Sequence, residues 1–220
     1  SFSSSKVGAF STPQPQRASA LRPRRLSEVA EAVAEHETMK AGGIEHWEPD
    51  AHSKELLRAT WSDDFEDLYQ LGSEIYIYIF TSTPAVKQLF PYMARYEGDN
   101  FRDSKEFRSQ ALKFVQTIAH VVKNVYHMER LESFLYGIGQ RHVAFAARGF
   151  KPEYWDVFQD AMEHALSKRM EASSTLNEAE RKQAITVWRT IALYIITHMK
   201  NGYFDGLKNV NKFENGPEKY

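Results

Sequence analysis

The strongest constraint on this chain is a series of apolar stripes with helical spacing that recurs from about Ser53 to Phe204. Phe107, Ala111, Phe114, Val115, Ile118, Val122 and Val125 fall on one side of a helix with 3.6 residues per turn. Trp155, Phe158, Met162, Leu166 and Met170 form another stripe with Pro152 at its start, and Ala184, Ile185, Trp188, Ile191, Ala192, Ile195 and Met199 form the last. Shorter sets lie before and between them: Leu57, Trp61, Phe65 and Leu68, then Leu131, Leu135, Ile138 and His142. Ser53 is a candidate cap for a helix starting at Lys54, Ser62 to Asp64 mark a break or second cap, and Asp103 or Ser104 caps the Phe107 stripe. One segment is ambiguous, because Ile75-Tyr76-Ile77-Tyr78-Ile79-Phe80 is β-branched and aromatic and by local propensity reads as a strand. Leu68, Gly72, Ile75, Tyr76, Ile79 and Phe80 nonetheless keep helical spacing, and no comparable strand follows for pairing. The predicted fold class is all-α, with one domain over residues 53–204.

The flanks read differently. Residues 1–27 carry Lys6, Arg17, Arg22, Arg24 and Arg25 and no acid, a charge of +5 against −6 for the remainder. With Ser, Pro and Gln and few large aliphatics, this stretch buries too little apolar surface to offset the entropy of ordering. Residues 1–52 are therefore expected to be a disordered basic extension, with a possible short helix over Leu26 to Lys40. Arg24-Arg25-Leu26-Ser27 has the arginines and serine that basophilic kinases favour, although it also reads as a plain solvated basic stretch. Residues 205–220, polar and with Gly206, Gly216 and Pro217, are expected to be a flexible tail.

Composition removes several chemistries. The chain has no cysteine, which excludes disulfides, thiolate metal sites and a catalytic cysteine, and leaves eight histidines as soft metal ligands. The longest apolar run, Ile75 to Phe80, is six residues against the roughly 20 that a membrane-spanning helix needs, so no transmembrane segment is expected. Without a basic patch interleaved with aromatics, no nucleic-acid partner is expected either. His142 lies on the face of Leu131, Leu135 and Ile138 and so points inward. A single histidine on an apolar stripe is usually a hydrogen-bonded core residue, so its neighbours matter.

Those neighbours stand at fixed separations: Trp61, Pro84 twenty-three residues on, Phe90 six after that, Gln110 twenty after that, then His142. With Leu57-Arg58-Ala59-Thr60-Trp61, Phe80-Thr81-Ser82-Thr83-Pro84, Val86-Lys87-Gln88-Leu89-Phe90, Glu106-Phe107-Arg108-Ser109-Gln110, the Gly-x-x-His of Gly139 to His142 and Phe150-Lys151-Pro152-Glu153-Tyr154-Trp155, the chain resembles the globin family over about 150 residues, Glu55 to Tyr203. The distal pattern and long extensions look most like invertebrate, nematode-type globins.

The resemblance implies a globin fold around noncovalently held haem b, with His142 as the proximal ligand of the iron. Phe90 matches the phenylalanine that packs on the porphyrin, Ile138 lies one turn before the histidine, and Phe114 would lie over the haem. Lys113 is placed to meet a propionate. Gln110 falls at the distal position, and Tyr76 at the position on the second helix that looks toward the ligand. Both are expected to donate hydrogen bonds to bound oxygen, a pairing associated with tight binding in nematode globins. By spacing alone, Tyr76 and Phe114 also read as core residues, Gln110 as able to turn to solvent and Lys113 as solvated. The expected function is reversible binding of oxygen and other diatomic gases for storage, transport or sensing. Alternatives are a redox or signalling globin with a protein partner, or a haem enzyme acting on nitric oxide or peroxide with an external reductase. About three more residues than in vertebrate spacing separate His142 from Pro152, with Phe145 to Gly149 as the bulge. The expected location is the cytoplasm, with mitochondrial import of the Arg- and Ser-rich start as the alternative.

Overall fold

The structure, a computed structural model, describes residues 33–34 and 43–214. The basic stretch 1–27, Ser27 and most of the anticipated helix over 26–40 lie outside the described residues; Val33 and Ala34 are helical. The described residues from 43 onward form α1 (Ala51–Ala59), α2 (Phe65–Ser82), α3 (Pro84–Lys87), α4 (Pro91–Ala94), α5 (Lys105–Lys123), α6 (Met128–His142), α7 (Tyr154–Ala172) and α8 (Glu178–Glu214), with no strand among them. Short 3-10 turns cover Ile44–His46, Asn100–Asp103 and Val143–Arg148.

Local chemistry sets the helix starts. Asp50, not Ser53, caps α1: its carboxylate accepts the Ser53 N–H at 2.7 Å, and helical geometry begins three residues earlier than the sequence suggests. Asp64 caps α2 by accepting from the Glu66 and Asp67 N–H groups, and Ser104 caps α5 through the Phe107 N–H. Asn177 and Glu180 cap each other reciprocally at the start of α8. The β-prone run Ile75 to Phe80 lies inside α2, where Ile75, Tyr76, Ile79 and Phe80 are all buried. Burial of a helical face outweighs strand propensity here. The bulge after His142 becomes the 3-10 turn Val143–Arg148, closed by Gly149 at φ 90°.

Helices α6 and α7 pack on α8, and α2 packs on α5 and α7. Two expected boundaries change. Residues 43–50 are not a loose extension, because Trp47 lies 6.2 Å from the Tyr194 ring and the Glu45 carbonyl accepts from His198 Nε2 at 3.3 Å. The expected flexible tail is helical as far as Glu214; residues 215–220 lie outside the described residues. Gly202 and Gly206, the second of which marked the expected tail, let α6 and the turn after it approach: a Cβ on Gly202 would stand 2.0 Å from the Tyr136 carbonyl oxygen, and one on Gly206 would stand 2.7 Å from Val143 Cγ2. No described helix is long and apolar enough to cross a membrane.

Candidate functional site

Tyr76, on the middle turns of α2, is 3% exposed and sits among four phenylalanine rings. Phe80, Phe90, Phe114 and Phe158 have centroids 5.5 to 5.8 Å from it, three of them edge-on. These contacts draw on α2, the α3–α4 junction, α5 and α7, so one tyrosine collects residues separated by 82 positions, from Tyr76 to Phe158. Its hydroxyl is the polar atom in that setting, and Gln110 Nε2 donates to it at 2.7 Å. Burial pushes the Tyr76 phenol up to about 12, only partly countered by the Gln110 hydrogen bond, so the hydroxyl stays protonated near neutrality. Because the phenolic oxygen accepts from Gln110, its own O–H proton remains available to donate elsewhere.

The family resemblance leads to the expectation that Tyr76 and Gln110 both donate to a ligand. In the structure the Gln110 amide donates to the Tyr76 hydroxyl itself. Their proximity has a local cause. A Cβ on Gly72, one turn before Tyr76, would stand 2.6 Å from the carbonyl oxygen of Ala111, the residue after Gln110. The bare glycine lets α2 and α5 meet backbone to backbone at the level of the pair.

His142 ends α6, and its Nδ1 lies 2.9 Å from the Ile138 carbonyl oxygen. That contact is a hydrogen bond only with Nδ1 protonated and donating, which leaves the lone pair on Nε2. Burial holds the imidazole below its ordinary pKa, with the Ile138 hydrogen bond opposing and Arg141 assisting, so the neutral form is favoured. Phe145, Phe150 and Trp155 surround the ring at 5.5, 5.4 and 5.1 Å. Trp155 and Phe158 are one turn apart on α7, the first against His142 and the second against Tyr76. Helix α7 is thus a common wall to both groups.

Phe90, Phe114 and Ile138 are partly buried and pack against the core, while Lys113 is exposed on α5. His120 stacks on Phe134 at 4.2 Å, away from the Tyr76 cluster. From sequence, Phe158, Phe150 and Trp155 read only as stripe or corner residues. Their spacing marks an apolar face, but which ring each meets is decided by how α7 packs across α2 and α6.

A neutral histidine with Nε2 free, aromatic and aliphatic walls, and a protonated hydroxyl form a donor set that fits haem: His142 would ligate the iron and Tyr76 would supply a hydrogen-bond donor. Among the described residues, no group of three or more His, Asp or Glu side chains gathers to hold a bare metal ion.

Comparison with known proteins agrees with this arrangement. The Globin family model matches residues 73–191, more than half of the chain. Globin-related protein glb-13 of Caenorhabditis elegans is 29% identical over 134 residues, 60% of this chain and 44% of that protein, so the chain spans less than half of that relative's length. Cytoglobin-2 of Oryzias latipes is 21% identical over 150 residues, 68% of this chain and 79% of the relative. In fold, the chain is similar to a hexacoordinated heme protein from an anhydrobiotic tardigrade, with a TM-score of 0.61 and 20% identity over 70% of this chain and 95% of that one. The family match over more than half of the chain, with the helical architecture, shows that this chain belongs to the globin family, with a nematode protein among its relatives.

Proposed function

We propose that this globin binds haem b through His142 and takes up molecular oxygen reversibly, with high affinity set by Tyr76. The observation that carries the reading is the 2.7 Å hydrogen bond from Gln110 to the buried Tyr76 hydroxyl. Haem, when bound, would supply a ferrous iron that His142 would hold and that takes up a diatomic gas.

The chain's own residues do the rest. His142 presents Nε2 because Ile138 holds Nδ1–H, and the Phe145, Phe150 and Trp155 rings fix the plane of the imidazole. Phe90, Phe114 and Ile138 supply apolar surface against a flat ring, and exposed Lys113 is the cation for a propionate at the rim. Tyr76 directs its proton toward the gas, and Gln110 fixes the orientation of that O–H and polarises it. A hydrogen bond to a strongly polarised acceptor contributes roughly 1.5–3 kcal/mol, so one well-aimed donor slows oxygen release by about one to two orders of magnitude. Carbon monoxide, a weaker acceptor, gains far less. Such a pocket suits oxygen storage, transport or sensing.

The test uses the haem-loaded chain. Tyr76→Phe should release oxygen at least tenfold faster while leaving carbon monoxide release nearly unchanged; an unaltered oxygen off-rate would sink the proposal. His142→Ala should lose the Soret absorption of the bound cofactor.

A further inference from the structure

A cavity of about 180 Å³ lies where the α1–α2 corner, the first turns of α2, the end of α7 and the loop leading to α8 meet. It is separate from the Tyr76 cluster. On α2 its wall residues Asp67 to Leu71 precede Tyr76 by five to nine positions, and on α7 Leu166 to Met170 follow Phe158 by eight to twelve. At 1.5 Å per residue these are offsets of roughly 8–14 and 12–18 Å. About half of the wall is apolar, from Leu68, Leu71, Leu166, Met170 and Leu176, and the rest is polar.

The polar atoms around it are unevenly matched. Thr60 Oγ1 donates to the Leu56 carbonyl and accepts from Trp188 Nε1. The Ser62 hydroxyl donates to the Asp67 carboxylate at 2.9 Å, and the Ser173 and Thr175 hydroxyls bond each other at 3.0 Å. What remains is a surplus of donors. Trp61 Nε1 and Arg169 Nε, both in wall residues, are sealed from solvent with no acceptor, and so is Nε of Arg181, whose Nη2 is held by the Ser173 carbonyl. Arg169 gives Nη2 to the Asp67 backbone carbonyl at 3.1 Å, and no carboxylate among the described residues pairs with its charge.

We propose that this cavity binds a small monocarboxylate with a compact apolar body. The two leftover N–H groups on the wall, Trp61 Nε1 and Arg169 Nε, call for an acceptor, and with the Asp67 carboxylate already bonded to Ser62 and Arg181 standing behind Ser173, an anionic one is favoured. A carboxylate is the planar partner that accepts from a guanidinium fork, and the half-exposed Arg169 side chain needs only to rotate its outer torsions to turn Nε–H inward. The aliphatic walls take the remainder of the ligand. A cavity of about 150 Å³ holds a benzene ring, so this one accommodates a ring or chain of about six to eight carbons. Nothing in this site depends on haem.

The experiment titrates the full chain with benzoate and hexanoate, following the indole N–H resonance of Trp61, assigned by through-bond correlation on the isotope-labelled unmodified chain. Sodium chloride and benzyl alcohol serve as controls. Both carboxylates should move that resonance with half-saturation near 1 mM or below, the order expected of about nine non-hydrogen atoms. Benzyl alcohol should bind at least tenfold more weakly, Arg169→Gln should weaken benzoate at least tenfold, and Leu176→Trp should fill the cavity and abolish the shift. An unmoved Trp61 resonance in the unmodified chain means the cavity holds water only and overturns the proposal, as does equal binding of benzyl alcohol. Because that measurement needs no substitution in the cavity, it decides the matter even where a variant fails to fold.

Discussion

Gly72 and Ala111 touch so closely that a Cβ on the glycine would stand 2.6 Å from the alanine carbonyl oxygen, which fixes the crossing of α2 and α5. The clash in a Gly72→Ala variant would be with backbone, which cannot swing aside as a side-chain tip does. Overpacking of this kind costs about 1–3 kcal/mol, more than the helix-propensity gain of at most about 1 kcal/mol from replacing glycine. The melting temperature of Gly72→Ala should fall by several degrees, on the order of 4–8 °C per kcal/mol divided by about two for a domain this size. Oxygen release should speed up toward the Tyr76→Phe value, because parted helices separate Tyr76 from Gln110. A melting temperature at or above that of the parent would contradict the contact.

Acid should weaken the fold through His198. This residue is 3% exposed, packs 4.3 Å from the Tyr194 ring and bonds the Glu45 carbonyl. Burial holds its pKa below the ordinary 6.5, outweighing Glu132 and Glu45, which pull the other way. The unfolded chain therefore binds more protons than the folded one once pH falls below about 6.5, so stability is complete above that value and declines as pH drops through the depressed folded pKa. Denaturant unfolding at about pH 7.5 and pH 5 should show this loss, and His198→Gln should reduce it. In the haem-free protein His142, also depressed by burial, adds to the same slope.

The packed segment before α1 offers a third check. Trp47 is partly buried against the core and stacks near Tyr194. Trp47→Ala should cost about 2–4 kcal/mol, somewhat less than for a fully buried aromatic, measured as a lower denaturant midpoint with the slope unchanged. A cost under about 0.5 kcal/mol, as for an ordinary surface position, would show that residues 43–50 are a loose leader after all.

Along one dimension, much of this molecule was legible. The stripes at Phe107 to Val125 and Trp155 to Met170 are periodic because one face of each helix is buried, and periodicity is a property of sequence alone. His142 and Tyr76 came from their order and separation along the chain, which the family match to residues 73–191 bears out for the family itself. What could not be read is what depends on a second chain segment. Gly206 looks like part of a tail until Val143 is seen against it, and Trp47 looks like linker until Tyr194 lies beside it. Phe158 is one more stripe residue until α7 crosses α2. In each case the missing information is tertiary, and the local rule that gave way was propensity or punctuation.

The hydrogen bond from Gln110 to the Tyr76 hydroxyl predicts a particular non-additivity. If Gln110 acts on the gas only by orienting the Tyr76 hydroxyl, then Gln110→Leu, which keeps volume but removes the amide, should speed oxygen release by about threefold to tenfold, less than Tyr76→Phe, because the hydroxyl persists but is no longer aimed. In the Tyr76→Phe background, Gln110→Leu should change the off-rate by less than about twofold, since the group it serves is gone. Direct donation from Gln110 gives a different pattern, with the same factor for Gln110→Leu in both backgrounds. Stopped-flow oxygen displacement on the four proteins of the cycle separates the two. Thermal unfolding of the same set belongs beside it, because Tyr76→Phe also leaves the Gln110 amide without its acceptor, and that loss registers in stability rather than in the off-rate.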